Sequence, residues 1–168
     1  MTPPSRRSRT TASLCTVSDR HRPAVLEGIA TETARRAATL IAGAGVPAAL
    51  ASKTSPTDVV TQTDLDAETL IRQRLDEQTP GAGIIGEEGE GTAPGAELQW
   101  VVDPLDGTVN FLYGVPLFAV SIAAAINGTV VAGAVVDVLR GELFSASAGA
   151  GARRDARPIA VSSCEALD

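Results

Sequence analysis

The sequence predicts an α+β fold, two helices packed on a mostly antiparallel sheet, and three observations predict it. Apolar residues recur at helical intervals in two early segments, short apolar runs end on carboxylates mid-chain, and runs broken by Asn-Gly and Arg-Gly fill the last third. At 168 residues, 44% hydrophobic and 20% charged, the chain has the size and composition of one globular domain. Its aromatic residues are Trp100, Tyr113 and three Phe, so the core must be built mainly from Ala, Val, Leu and Ile.

The first helix is expected over Ala24 to Ala44, where Leu26, Ile29, Ala30, Thr33, Ala37, Leu40 and Ile41 share one face. Pro23 suits its first turn, and Gly43 and Gly45 mark its end. Lys53 to Thr63 reads as an irregular or hairpin segment, because Ser55-Pro56-Thr57-Asp58 is turn chemistry and Val59-Val60-Thr61 favours extended backbone. The second helix is expected to begin near Thr63 or Asp64, with Thr63 and Asp66 as a capping box, and to run through Leu70, Ile71 and Leu75 to Pro80-Gly81. Asp64 is thereby placed at a helix N-terminus, where it also has a purely structural reading as a cap.

A short strand, Gly83 to Gly86, ends on Glu87 and enters an acidic, Gly-rich loop; a second, Gln99 to Val102, ends on Asp103. The remainder reads as a β-meander: Leu117 to Ile126, the Asn127-Gly128 turn, Thr129 to Asp137, Arg140-Gly141, and Glu142 to Ser147. Arg153, Arg154 and Arg157 near Gly149-Ala-Gly151 read as a solvated hairpin without a catalytic role.

The formal charge of −6 is concentrated mid-chain, a field that disfavours nucleic acid and repels phosphate esters unless bound cations invert it. Cys15 and Cys164 lie at opposite ends and His21 is the sole histidine, which argues against zinc, an iron–sulfur site, a disulfide scaffold or a histidine-based triad. Arg6, Arg7 and Arg9 lack the apolar run of a twin-arginine signal, and Pro116 to Ile126 is too short to span a bilayer. The expectation is a soluble cytoplasmic protein with a disordered leader over residues 1–22 and no nucleic-acid or membrane partner.

The chemistry concentrates where the strands end. Glu87 and Asp103 both follow short apolar strands, so they can converge at one edge of a sheet. In Asp103-Pro104-Leu105-Asp106-Gly107-Thr108 the proline fixes φ, the glycine permits a tight bend, and two carboxylates flank a backbone carbonyl. Oxygen donors without His or Cys select a hard cation, Mg²⁺ before Ca²⁺ or Mn²⁺. An Asp-x-x-Asp-Gly string alone is ordinary turn composition; its company makes it specific. Glu88 and Glu90 read as solvated loop charges, with Glu88 alternatively supporting the ligands. Lys53 either neutralises the acidic site or is a surface lysine, and Trp100 reads as core packing beside the acidic turn.

Lys53-Thr-Ser-Pro-Thr-Asp58, Val60-Thr-Gln-Thr-Asp64, Ile85-Gly-Glu-Glu88, Trp100-Val-Val-Asp-Pro-Leu-Asp-Gly-Thr-Val-Asn-Phe111 and Val115-Pro-Leu-Phe-Ala-Val-Ser-Ile122 follow in the order and approximate spacing of the inositol monophosphatase family, which the chain resembles from about Ala24 onward. The resemblance implies the N-terminal, metal-binding half of a layered α/β sugar-phosphatase fold over residues 23–168, acting on a small phosphorylated polyol or sugar with Mg²⁺ as cofactor. It implies Glu87 as ligand of a first metal, Asp103 as the bridge between two, the Leu105 carbonyl as a backbone ligand and Asp106 as ligand of the second. Thr108 with Asp64 would orient the attacking water, and Gly107 and Thr108 would touch the substrate phosphate. Inositol monophosphate is the leading substrate; histidinol phosphate, fructose bisphosphate and 3′-phosphoadenosine nucleotides are alternatives. A homodimer and Li⁺ inhibition are further implications.

Family members also carry a later Trp-Asp motif that completes the second metal site, and nothing after Asp137 resembles it. The expectation is a truncated gene product, a fragment or one half of a split protein that lacks the C-terminal domain, holds one metal through Glu87, Asp103 and Leu105, and turns over weakly or not at all. The alternative to an enzyme is a metal-binding remnant. A face left exposed where a second domain would pack is expected to promote association.

Overall fold

The structure, a computed structural model, describes residues 21–44, 49–52, 59–87 and 91–164. Nearly all of the leader, the Lys53 to Asp58 segment, and Glu88 and Glu90 lie outside the described residues. In chain order the elements are α1 (Pro23–Gly43), β1 (Ala49–Ser52), β2 (Val59–Thr61), α2 (Gln62–Gln78), β3 (Gly83–Gly86), β4 (Leu98–Asp106), α3 (Thr108–Tyr113), β5 (Ala119–Ile126), β6 (Thr129–Asp137), β7 (Leu143–Ser147), β8 (Gly151–Arg154) and β9 (Arg157–Ile159).

β3 to β9 form one sheet in sequence order, antiparallel at every step except β3–β4, which is parallel; β1 and β2 make a separate antiparallel pair. A parallel pair needs a long connection, and the acidic loop between β3 and β4 supplies it. Asn127 and Gly128 both have positive φ, the geometry of a type I′ hairpin whose twist matches the strands it joins. Asp155 and Ala156 turn the β8–β9 hairpin in the same way.

α1 packs across β5, β6 and β7, and α2 lies beside it against β4. The buried stripe of α1 is Leu26, Ala30, Thr33, Ala34, Ala37, Ala38 and Ile41, so Ile29 and Leu40 fall on its margin rather than at its centre. Small alanines let the helix approach the sheet closely, which explains how a core with few aromatic residues closes. Trp100 is fully buried, and its indole N–H donates to Thr79 Oγ1 at 2.9 Å, so the largest core side chain also satisfies its polar edge.

The opposite face of the sheet carries Val130, Val135, Phe144 and Ile159, all exposed, around a shallow apolar hollow of about 610 Å³. Among the described residues no element covers it.

Three expectations need correction. The capping box of α2 lies two residues earlier than predicted: Thr61 is the N-cap and Asp64, not Asp66, closes it. Thr61 is the last residue of β2, so the strand delivers the chain directly into the helix and the cap follows the strand end rather than the apolar pattern. β4 continues past Val102 to Asp106, and a short helix, α3, forms where only a turn was expected. α3 is less than two turns long, too short for a periodic pattern to reveal. The arginine-bearing hairpin forms as expected, as β8–β9: Arg154 and Arg157 are exposed, and only Arg153 is half-buried, against Glu27.

Candidate active site

Parallel pairing of β3 and β4 is what brings the site together. Gly86 is in register with Val102, so the next residues, Glu87 just past the end of β3 and Asp103 on β4, stand side by side at the edge where the parallel pairing ends. Such edges are where parallel sheets commonly bind ligands. Asp106 joins them through a β-bulge: from Asp103 to Asp106 three steps of β4 face two steps of β5, Ser121 to Ala119. A regular strand would turn Asp106 to the face of Leu98, Trp100 and Val102; the extra residue buries both Pro104 and Leu105 and leaves Asp106 exposed.

These acids crowd one another. Asp103 is pushed up to about 7 by burial first, then by the charges of Glu87 and Asp106, and a carboxyl–carboxyl hydrogen bond with Glu87 adds to the shift. Asp103 Oδ1 is buried with no hydrogen-bond partner. Among the described residues no three His, Cys, Asp or Glu side chains are drawn into a closed metal-binding group. The set nonetheless fits a hard divalent cation: it offers only oxygen donors, its charges repel one another, and its central carboxylate has a sealed, unsatisfied oxygen. A backbone oxygen such as that of Leu105, placed between two of the acids, has the right chemistry to complete it.

Asp64 approaches from the helix side and is almost fully buried. Its Oδ2 accepts the Thr61 backbone N–H at 2.9 Å and the Thr61 hydroxyl, while its Oδ1 accepts the Thr108 hydroxyl at 2.8 Å across 44 residues of sequence. The cap and the site are therefore one structure, and the two readings of Asp64 do not compete. Thr108 Oγ1 also lies 3.0 Å from the Leu105 carbonyl, so its single proton is committed to these acceptors and its lone pairs remain to accept from elsewhere.

Gly107 holds the bend between β4 and α3 at φ +92, where a Cβ would meet the Leu117 carbonyl oxygen at 3.0 Å and Phe118 Cβ at 3.3 Å. Phe111 stacks edge-on against Phe118 with ring centroids 5.1 Å apart, anchoring the short helix over the site. The structure thus gathers Asp64, Glu87, Asp103, Leu105, Asp106, Gly107 and Thr108 at one end of the β3–β4 pair.

The sequence profile of the inositol monophosphatase family matches residues 23–168, nearly all of the described chain. The chain belongs to the inositol monophosphatase family. An inositol-1-monophosphatase of Mycobacterium leprae is 45% identical over 157 residues, covering 86% of this chain and 54% of that protein. The solved structure of extragenic suppressor protein suhB from Bartonella henselae superposes with a TM-score of 0.77 at 36% identity, covering 83% of this chain and 55% of that one. A histidinol-phosphatase of Chlorobaculum parvum is 40% identical over 103 residues, covering 61% of this chain and 40% of that protein. The chain spans about half the length of these relatives.

Two residues of the family member described here escaped sequence reasoning. Glu68 and Arg72 follow Asp64 at successive four-residue steps, which places all three on one face of α2, and Glu68 is buried beside the end of β3. An acidic and a basic residue at helical spacing from a site carboxylate were the available signal.

Proposed function

We propose that this chain carries the metal-binding half of a Mg²⁺-dependent phosphomonoesterase site, with residues 23–168 as that unit and inositol monophosphate as the substrate. The observation that carries the reading is the sealed, unpartnered Asp103 Oδ1 at the meeting of three carboxylates. Relatives named inositol-1-monophosphatase support the substrate class, and the histidinol-phosphatase relative keeps other small phosphate esters as alternatives.

In this reading Glu87, Asp103, Asp106 and the Leu105 carbonyl hold the cation. When bound, Mg²⁺ neutralises phosphate oxygens, acidifies water and steadies the departing alkoxide. The protein's own groups do the positioning. Thr108 donates to Asp64, and its free lone pairs hold a water in line with the phosphorus; Asp64, fixed by two contacts from Thr61, keeps that threonine oriented. Gly107 and Thr108 receive the phosphate at the bend between β4 and α3, which the left-handed backbone of Gly107 allows to pack against Leu117 and Phe118. Water adds to phosphorus, the ester oxygen leaves with a proton, and the products are the free alcohol and inorganic phosphate.

The test is phosphate release from inositol 1-phosphate by the purified chain with and without Mg²⁺, with Asp103→Asn as control. Release that needs Mg²⁺ and vanishes in the control is the expected result. Mg²⁺ binding without release supports the second reading, a metal-binding unit without turnover of its own. Absence of Mg²⁺ binding from the folded chain would sink both.

A further inference from the structure

Gly86 is the last residue of β3, one position before Glu87, and its surroundings are unusual for a strand end. A Cβ built there would lie 2.2 Å from Glu68 Oε1, 3.2 Å from Glu68 Cδ and 2.8 Å from Arg72 Nη2. The φ of Gly86 lies outside the left-handed region, so the backbone would accept any residue, and a Cβ there would meet only the ends of the Glu68 and Arg72 side chains and push them aside. The acidic and basic side chains therefore rest directly on the backbone where the chain departs towards the site.

Burying such a pair is costly. The Glu68 side chain is 7% exposed and that of Arg72 22%. Arg72 Nε donates to Glu68 Oε1 at 2.9 Å, and Nη2 stands 2.7 Å from the same oxygen as an ion pair, yet Nη2 is buried and makes no hydrogen bond of its own. Apolar side chains would fill that space without desolvating two charges, so stability alone does not account for the pair. What a carboxylate locked to a guanidinium supplies is rigidity, since the mutual pairing fixes both side chains against the strand end from which the chain passes to Glu87.

We propose that Glu68, braced by Arg72 and seated over Gly86, is a positioning residue that sets where Glu87 stands relative to Asp103 and so tunes cation affinity. The proposal rests on Glu87 being a cation ligand. Groups that orient ligands in this way typically contribute about 10–100-fold in metal affinity. Asp64, Glu68 and Arg72 on one face of α2 then act as a unit: the first residue holds Thr108 and the other two hold the end of β3. A single helix registers both arms of the site.

Mg²⁺ affinity of the whole chain, measured by titration calorimetry on wild type, Glu87→Gln, Glu68→Ala, Glu68→Gln and Gly86→Ala, tests this, with urea unfolding on each. Glu68→Ala and Gly86→Ala are expected to weaken Mg²⁺ roughly 10-fold or more while remaining folded. Glu68→Gln, which keeps the shape and an acceptor for Arg72, should recover most of the affinity. Adding Gly86→Ala to Glu68→Ala should cost little further, because Glu68 Oε1, the nearest atom it collides with, is gone and the Arg72 side chain, released from its partner, can move aside. A purely structural pair would lower unfolding stability and leave Mg²⁺ affinity within about twofold, which overturns the proposal. If Glu68→Ala fails to fold, Gly86→Ala with unchanged affinity overturns it just as well. Should Glu87→Gln bind Mg²⁺ as wild type does, the ligand reading itself falls and the positioning role falls with it; loss in Glu87→Gln alone removes only the positioning role.

Discussion

Glu27 and Asp103 are both carboxylates drawn partly into the protein, and they meet opposite surroundings. Glu27, in the second turn of α1, reaches the sheet and accepts from Ser145 Oγ at 2.8 Å, from Ser147 Oγ, and from Arg153 Nη1 at 3.2 Å. Burial would raise its pKa, but these donors outweigh that cost and hold it below the usual carboxylate range. Asp103 is buried too, and two neighbouring carboxylates outweigh its one backbone donor, Leu105, so burial and repulsion add and its pKa rises. Glu27 fastens a helix to a sheet; Asp103 is kept in an unfavourable state that a proton relieves or, in the proposed reading, a cation. Fold and site use the same chemical group with opposite sign, and that sign separates a structural acid from a functional one.

The largest expected effect breaks the comparison most cleanly. Asp103→Asn should reduce Mg²⁺-dependent phosphate release by about 100-fold or more, since several kcal/mol of charge stabilisation depends on that site. In metal-free buffer the same substitution should raise the thermal midpoint, because it removes one of three repelling charges. A lowered midpoint would mean that Asp103 stabilises the fold as Glu27 does.

Next in size, Thr108→Val should lower release on the order of 100-fold through loss of water positioning, with Mg²⁺ affinity unchanged and Thr108→Ser largely active. Calorimetry beside the rate assay separates these. Glu27→Ala should destabilise the chain by about 2 kcal/mol in urea unfolding, because it leaves two serines and an arginine without their acceptor, and the Mg²⁺ response should not move.

The smallest effect is in the pH profile of metal-free stability, where the two acids pull in opposite directions. The raised Asp103 favours the protonated fold, so its contribution is full below 3.8 and lost as pH rises through about 7. The lowered Glu27 contributes above 4.5 and loses that contribution as pH falls below it. Unfolding midpoints between pH 3 and 8 should therefore show a neutral-side decline absent from Asp103→Asn and an acid-side decline reduced in Glu27→Gln. An unchanged neutral limb in Asp103→Asn would contradict the assignment.

Much of this was legible in the residues. The stripe on α1, the apolar run of β3 and the Asn127-Gly128 turn all reflect local periodicity or backbone preference, and each lies where the sequence placed it to within a residue or two. The site residues were legible through motif order, and the Asp64–Thr108 hydrogen bond joins the pair that the sequence reading put together. α3 was not, because six residues carry too little pattern. Nor were Glu68 and Arg72, whose i, i+4 spacing reads as an ordinary surface ion pair until the end of β3 is laid against it.

The sequence by itself determined which residues are acidic, which segments alternate or repeat helically, and where the chain must turn, since those are properties of neighbours along the backbone. Tertiary structure alone decided that β3 and β4 run parallel, that a bulge turns Asp106 outward, and that Glu27 is satisfied while Asp103 is not. Pairing direction, register and the company a charge keeps depend on groups distant in sequence. Their energies exist only once the chain has brought those groups together.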